Sequence, residues 1–259
     1  CPGLAEQRVR WRLSLAEASL EQGKRKEART LLLGLARMTS EEGVSPERKA
    51  LAVSAMEQLA AMSFEEGAYE EAEADHLARA SVLLELDRRE AAAIAIGWAA
   101  VCHSLEHPEV APDYWSGFED NPAWRAIPVE RKVVHGTEWG RLLLEGRAMA
   151  TFDAMGQWPW AKAVEAGTDV VSPEWTARWG LLQARRWKSR PTQALAASLH
   201  AELAAREIEN AALREPLLVE ALRTRSGLLA TTGAHGPAYL ALVEADSLSR
   251  AMLRAERAR

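Results

Sequence analysis

The chain has 259 residues, of which 48% are hydrophobic and 27% are charged, and its formal net charge at pH 7 is −5. Long stretches of Ala, Leu, Glu and Arg are typical of a folded helical protein, and the acidic balance provides no overall positive field for a nucleic-acid backbone. No apolar run approaches the roughly 18 residues needed to span a bilayer. We therefore expect a soluble, all-α protein whose main partner is not nucleic acid.

The chain contains two cysteines, Cys1 and Cys102. Two cysteines cannot build a disulfide framework or a Cys-based structural metal site, so we expect a fold that depends on packing and no cofactor. A chain that begins with Cys starts either at a domain boundary or at the processing site of a bacterial lipoprotein. We predict a cytoplasmic protein, and the alternative is a lipid-anchored protein of the bacterial envelope, although Pro2 is unusual directly after a lipidated Cys.

Apolar periodicity and turn residues predict a series of helices. In chain order they span residues 5–22, 24–42, 46–65, 68–86, 88–105, 128–145, 147–156, 173–188, 191–208, 215–231 and 235–257. Helix starts are marked by Ser45-Pro46-Glu47 and Ser172-Pro173-Glu174, which each offer a cap, a proline in the first turn and an acid near the positive helix end. Prolines make segments 106–128 and 157–172 irregular or limit them to short helices.

A repeat is visible in two stretches of identical spacing, "LAEASLEQGKRKEA" at 15–28 and "LAAMSFEEGAYEEA" at 59–72. The first contains Leu15, Ala16, Gly23 and Ala28, and the second contains Leu59, Ala60, Gly67 and Ala72. This pattern resembles the tetratricopeptide helix-turn-helix unit, in which small residues let paired helices approach and Gly ends the first helix. The resemblance implies an α-α superhelix, that is, a tetratricopeptide-like solenoid of stacked helix pairs.

Weaker copies keep an alanine five positions after each later turn. These positions are Ala111, Ala194 and Ala238, with Thr151 in the place of the alanine after Gly146. Successive turns are separated by roughly 39 to 44 residues, longer than the 34 of the standard unit. Long-helix repeats of this kind resemble those in large bacterial signalling proteins. We expect one domain over 1–259 with an irregular middle and about six units, at 5–42, 46–86, 88–127, 128–171, 172–210 and 214–258.

One motif suggests zinc chemistry. His103, Glu106 and His107 have the H-x-x-E-H spacing of a zinc-peptidase family, in which the histidines hold the metal. The repeat places a turn near residue 106, and Pro108 disfavours the α conformation at His107, so the two histidines are not expected to share a helical face. We therefore predict a non-enzymatic protein without a metal, and a zinc-dependent hydrolase with His103 and His107 as ligands is the alternative.

Eight of the ten tryptophans lie between residues 115 and 187. They either fill wide gaps where irregular segments interrupt the helix stack, or form an aromatic binding surface. In tetratricopeptide proteins the first helix of each unit lines the concave groove. Transferred to the fifth unit, the resemblance implies that the groove-facing residues are Thr176, Trp179, Gln183, Arg186 and Trp187, although a partly buried seam would account for the same pattern.

The same mapping predicts that Glu220, Arg223 and Gly227 face the groove in the last unit. The Lys and Asn pattern with which family members clamp a peptide carboxylate is absent, as are a phosphate loop and a serine-hydrolase motif. The sequence therefore predicts a scaffold or sensor module that binds a protein or peptide, as part of a bacterial signalling or assembly system. It leaves the oligomeric state open, and an envelope lipoprotein scaffold remains a further alternative.

Overall fold

The computed structural model describes residues 2–40, 43–111, 113–115, 117–166 and 171–257. Over these ranges the chain is all-α, with thirteen α-helices and no strand. The predicted fold class is thus confirmed at the level of secondary structure. Cys1, on which the lipid-anchor alternative depends, lies outside the described residues, as do positions 41 and 42 at the end of the second predicted helix.

The chain divides into two compact units. Unit 1 comprises residues 1–127 with 146–151, and unit 2 comprises 128–145 with 152–259. The expectation of one continuous repeat domain concerns the relation between these units and stays a prediction.

Unit 1 is built from consecutive helices that pack on their neighbours in sequence, and α1 also contacts α3. Its helices are α1 (Pro2–Glu21), α2 (Arg25–Ala36), α3 (Pro46–Glu65), α4 (Tyr69–Glu85), α5 (Arg89–Glu106) and α6 (Pro122–Arg125). Short 3-10 helices lie at Arg37–Ser40, Asp113–Trp115 and Phe118–Asp120. The start of α3 agrees with the prediction, since Ser45 Oγ accepts a 3.4 Å hydrogen bond from the Arg48 amide.

The turns that end α1 and α3 share one geometry. Gly23 and Gly67 have positive φ angles of 73° and 76°. The amide of the residue after each glycine donates a 2.8 Å hydrogen bond to the carbonyl five residues earlier, from Lys24 to Ser19 and from Ala68 to Ser63. This is the helix-ending motif in which a left-handed residue satisfies the last carbonyls, and glycine suits it because it has no Cβ.

Alanines lie where the helices of unit 1 cross. Ala16, Ala28, Ala60 and Ala72 are fully buried. A side chain this small lets two helix backbones approach closely. Helix packing therefore explains why the two sequence stretches share the same spacing. Ala111, which the weaker copies placed at such a crossing, lies instead in a segment without a helix.

Unit 2 contains the remaining helices, and the boundary between the units falls within α8. They are α7 (Val129–Glu145), α8 (Met149–Met155), α9 (Pro159–Glu165), α10 (Pro173–Arg186), α11 (Pro191–Glu207), α12 (Ala211–Thr231) and α13 (His235–Arg257). Consecutive helices from α10 to α13 pack on one another, and α10 additionally contacts α7, α9 and α12. Gly233, with a φ of 80°, ends α12 by the same turn geometry as in unit 1.

The start of α12 corrects the sequence analysis, which began this helix at residue 215. The helix begins at Ala211, where Asn210 Oδ1 accepts a 3.0 Å hydrogen bond from the Ala212 amide, and Pro216 lies inside it. The Asn210 cap, rather than Pro216, therefore determines where the helix begins.

Candidate functional site

Three of the predicted groove residues lie in the interior of unit 2. Thr176, Trp179 and Gln183 are 8%, 1% and 4% exposed. The Trp179 ring stacks on Phe152 at a centroid distance of 5.5 Å and meets Trp160 edge-on at 5.0 Å. This face of α10 is therefore occupied by the protein itself, and in this conformation it offers no surface to a partner.

The other two predicted residues are half-buried at the end of α10. Arg186 Nε donates a 2.7 Å hydrogen bond to Asp153 Oδ1, and Nη2 binds the second carboxylate oxygen. The hydrogen bond that Arg186 donates to Asp153 raises the pKa of the guanidinium above its ordinary value. Trp187 follows the last residue of the helix. Arg186 is thus engaged in an internal bidentate ion pair rather than presented to solvent.

Two glycines explain why this face of α10 is buried. A Cβ atom at Gly136 would lie 2.3 Å from the Trp160 ring, and one at Gly140 would lie 3.1 Å from the Trp179 ring. The absence of side chains on this face of α7 therefore makes the room that the two indoles fill. Six of the eight clustered tryptophans are buried in the described conformation: Trp115, Trp124, Trp139, Trp158, Trp160 and Trp179.

The other face of α10 borders an open cleft. The cleft has a volume of about 420 Å³ and is formed by α7, α10 and α12. Its apolar wall consists of Trp175, Leu181, Leu182 and Leu217, and its polar residues are Thr137, Glu138, Arg141, Arg178, Arg185 and Glu220. A concave site with an apolar wall and a few polar groups has the usual character of a binding pocket.

The arginines of the cleft are paired with glutamates of the same chain. Arg178 lies over the Trp175 ring at 5.2 Å and donates a 2.9 Å hydrogen bond to Glu174. Arg141 binds Glu145 at 2.9 Å, one helical turn away. These contacts hold the guanidinium groups at the cleft while leaving them accessible to water.

A third ion pair separates this cleft from a second one. Arg185 on α10 binds Glu220 on α12, and both side chains line both clefts. The second cleft has a volume of about 590 Å³ and lies between α12 and α13. Glu220 and Arg223, expected in the groove from the repeat mapping, line it, whereas Gly227 does not.

Thr137 adds a buried polar atom to the first cleft. The residue is 5% exposed, and within the described part of the chain its Oγ1 atom has no hydrogen-bond partner. A helical threonine usually satisfies its hydroxyl on the carbonyl one turn earlier, and a buried hydroxyl without a partner costs roughly 1–3 kcal/mol. The hydroxyl is thus a buried polar group that no described contact satisfies.

The histidine motif of unit 1 lies at the end of α5. His103 is within the helix, while His107 follows its last residue with φ −122° and ψ 70°. The two rings are nevertheless 5.0 Å apart, and His103 Nδ1 is 3.1 Å from Glu73 Oε2. Among the residues that the structure describes, no group of three or more His, Cys, Asp or Glu side chains could hold a metal ion.

The five groove residues predicted in the fifth unit belong to α10 and the residue after it, and none of the five lines the cleft. Trp175, Arg178 and Arg185 were not assigned to it. The buried face of α10 could have been predicted from three glycines, Gly136, Gly140 and Gly180. Small residues on facing helices mark the side where large aromatic rings or another backbone come close. Arg178, four residues after Glu174, was a second signal, since this spacing is typical of a solvent-facing ion pair.

No protein-family model matches the chain, and no curated protein or solved structure matches it either. None of the helices that the structure describes is long and apolar enough to cross a membrane.

Proposed function

We propose that this chain is a non-enzymatic, tetratricopeptide-like repeat protein that binds a protein or peptide in the cleft of unit 2. Its role would be that of a scaffold or sensor in a bacterial signalling or assembly system. The proposal rests above all on the open cleft between α7, α10 and α12, with Trp175 half-buried and three arginines in its walls. Trp and Arg are the residues that most often supply binding energy at protein interfaces.

The packing pattern supports the repeat assignment. Alternate helices contact one another, α1 with α3 and α10 with α12, as expected for stacked helix pairs. The turns at Gly23, Gly67 and Gly233 share positive φ, and the alanine five residues after each is buried. In a stack of this kind the first helices of successive pairs line one surface, and the cleft is formed by helices in that position.

A peptide selection with matched variants tests the binding role. A random dodecapeptide library displayed on phage is selected against the purified chain, and binders are measured on two double variants. Trp175→Ala with Arg178→Ala removes an aromatic and a cation from the cleft. Arg8→Ala with Trp11→Ala removes the same two residue types from exposed positions of α1.

We expect the cleft variant to weaken binding at least about tenfold and the control variant to leave it unchanged, because Trp and Arg in a pocket are typical hot-spot residues. Circular dichroism must show that both variants are folded. A selection without binders, or binders indifferent to the cleft variant, would overturn the proposal. The zinc-hydrolase alternative would replace it if purified protein carried stoichiometric zinc that His103→Ala removes.

A further inference from the structure

The cleft of unit 2 contains three arginines whose partners are glutamates of the same chain. Arg141 pairs with Glu145, Arg178 with Glu174 and Arg185 with Glu220. Each pair shows that the guanidinium group binds a side-chain carboxylate, and Glu220 is the one of these three glutamates that itself lines the cleft. Glu220 therefore occupies the position of a ligand carboxylate, while Glu145 and Glu174 bind Arg141 and Arg178 from outside the cleft lining.

These internal pairs are weak enough to be exchanged. The arginine side chains are 50%, 41% and 52% exposed at Arg141, Arg178 and Arg185, respectively. Ion pairs at such exposure contribute little to stability, because water screens the attraction and both side chains lose rotamer freedom. A glutamate that is displaced returns to water at little cost, whereas an arginine between a ligand and an apolar wall gains a less screened partner.

The residues around the arginines favour a ligand that has apolar groups as well as negative charge. Trp175, Leu182 and Leu217 provide an apolar wall in the same cleft, and Thr137 provides the buried hydroxyl without a partner. A ligand with carboxylates alone would leave the apolar wall in contact with water. A ligand with a large apolar side chain beside its carboxylates would cover both.

We propose that the cleft binds a peptide segment with two or more Asp or Glu side chains next to a large apolar residue; this inference rests on the binding role proposed above. Side-chain carboxylates are favoured over a terminal one because the three arginines lie on two helices, α7 and α10, and one terminus cannot pair with all of them. An acidic ligand is favoured because the cleft lining carries three arginines against two glutamates, in a chain whose net charge is −5.

The peptides selected from the random library provide the probe. Each is synthesised with a free and with an amidated C-terminus, and the amidated form is also made with Gln and Asn in place of Glu and Asp. We expect Asp and Glu to be enriched beside an aromatic or large aliphatic residue. We expect the neutral form, and the Arg141→Ala with Arg178→Ala variant, to weaken binding at least about tenfold. Arg8→Ala with Arg10→Ala, two exposed arginines of α1, is the control.

Ionic strength adds an independent readout. Binding of the acidic peptides should weaken between about 0.05 M and 0.3 M salt, while the neutral forms change little, since salt screens charge pairs more than apolar contacts. Neutral peptides that bind the cleft as well as acidic ones would overturn this inference and leave the binding role intact. Loss of binding on amidation alone would show that a terminal carboxylate is the ligand. A selection without any cleft binder would overturn both proposals.

Discussion

The α1–α4 part of unit 1 and the α7–α10 part of unit 2 fill the space between their helices in different ways. In α1 to α4 the crossings are made by alanines such as Ala28 and Ala72, and the core is completed by Leu, Val and Met. Around α7 and α10 the helices are held apart by indole rings, and glycines on α7 make room for them. The comparison shows that, within unit 2, large aromatic packing belongs to the surroundings of α7 and α10, since α10 to α13 again pack through alanines such as Ala201 and Ala221.

The largest effect is expected from emptying the aromatic core of unit 2. Trp179→Ala should lower the free energy of unfolding of this unit by about 3–5 kcal/mol, because the cavity between Phe152 and Trp160 cannot collapse completely. Trp179→Phe should cost much less, since the indole Nε1 atom has no hydrogen-bond partner in the described structure. Chemical denaturation, with hydrogen exchange to locate the change in unit 2, measures both.

Trp11→Ala is the matched control for that prediction. Its side chain is 73% exposed on α1, so its loss should change stability by no more than about 0.5 kcal/mol. Equal destabilisation by Trp179→Ala and Trp11→Ala would show that Trp179 is not a core residue and would return it to the predicted binding surface.

The complementary experiment overfills unit 1. Ala72→Trp should destabilise the unit by about 3 kcal/mol or more, because an indole cannot fit where the helices cross. Ala74→Trp, two residues away on the exposed side of α4, is the control and should be tolerated. Thermal melts that match for both variants and the parent would contradict the alanine register of the repeat.

Glycines give a smaller test of the aromatic packing in unit 2. Gly136→Ala should destabilise by about 1–3 kcal/mol, because its Cβ would collide with the buried Trp160 ring. Gly227→Ala, in α12 with nothing within 4 Å of its added Cβ, should instead stabilise by up to about 1 kcal/mol, since alanine is the better helix former. Urea midpoints of the two variants should therefore move in opposite directions. Stabilisation by Gly136→Ala would contradict the described position of Trp160.

The helix boundaries were accessible to sequence reasoning because local signals determine them. Gly23, Gly67 and Gly233 end helices through their own backbone freedom, and Pro46 and Pro173 begin them. None of these effects needs a distant residue. The error at α12 occurred where two local signals, Asn210 and Pro216, competed.

The face of α10 that borders the cleft was not accessible in the same way. Buried residues of α10 include Ala177, Leu181 and Ala184 on one face of the helix and Trp179 on the opposite face. An apolar pattern of this kind does not define a single inward face. The orientation of α10 depends on the contacts that Trp179 makes with Gly140, Phe152 and Trp160. These residues are distant in sequence, so their proximity becomes visible only when the positions of α7 to α9 are known.

The smallest effect expected is a pH dependence confined to unit 1, where Asp75 and His76 are neighbours on α4. Burial, aided by the positive charge of Arg79, lowers the pKa of His76 from 6.5 to about 4. Burial raises the pKa of Asp75 from 3.8 to about 6, against the attraction of Arg29 and with repulsion from Glu71 adding to the rise. The two shifts act on stability with opposite sign.

Between pH 6.5 and 4 the unfolded chain binds a proton at His76 that the folded chain does not, so His76 makes unit 1 less stable as the pH falls through this window. Between pH 3.8 and 6 the folded chain binds the extra proton at Asp75, so this carboxyl makes the unit more stable as the pH falls. The stability of unit 1 in the parent protein should therefore change little with pH. Removal of either side chain should reveal the pH dependence that the other one causes.

We expect Asp75→Asn to lose about 1–2 kcal/mol of stability between about pH 7 and pH 5, because only the histidine titration remains. His76→Phe, which keeps a ring against Trp98, should gain stability over the same interval, by less because the Asp75 carboxyl is half-buried and partly screened by water. Denaturation at the two pH values, with hydrogen exchange at α4, measures both. If both variants responded to pH with the same sign, the opposing shifts assigned to the two side chains would be wrong, and the acid response of unit 1 would have to arise elsewhere.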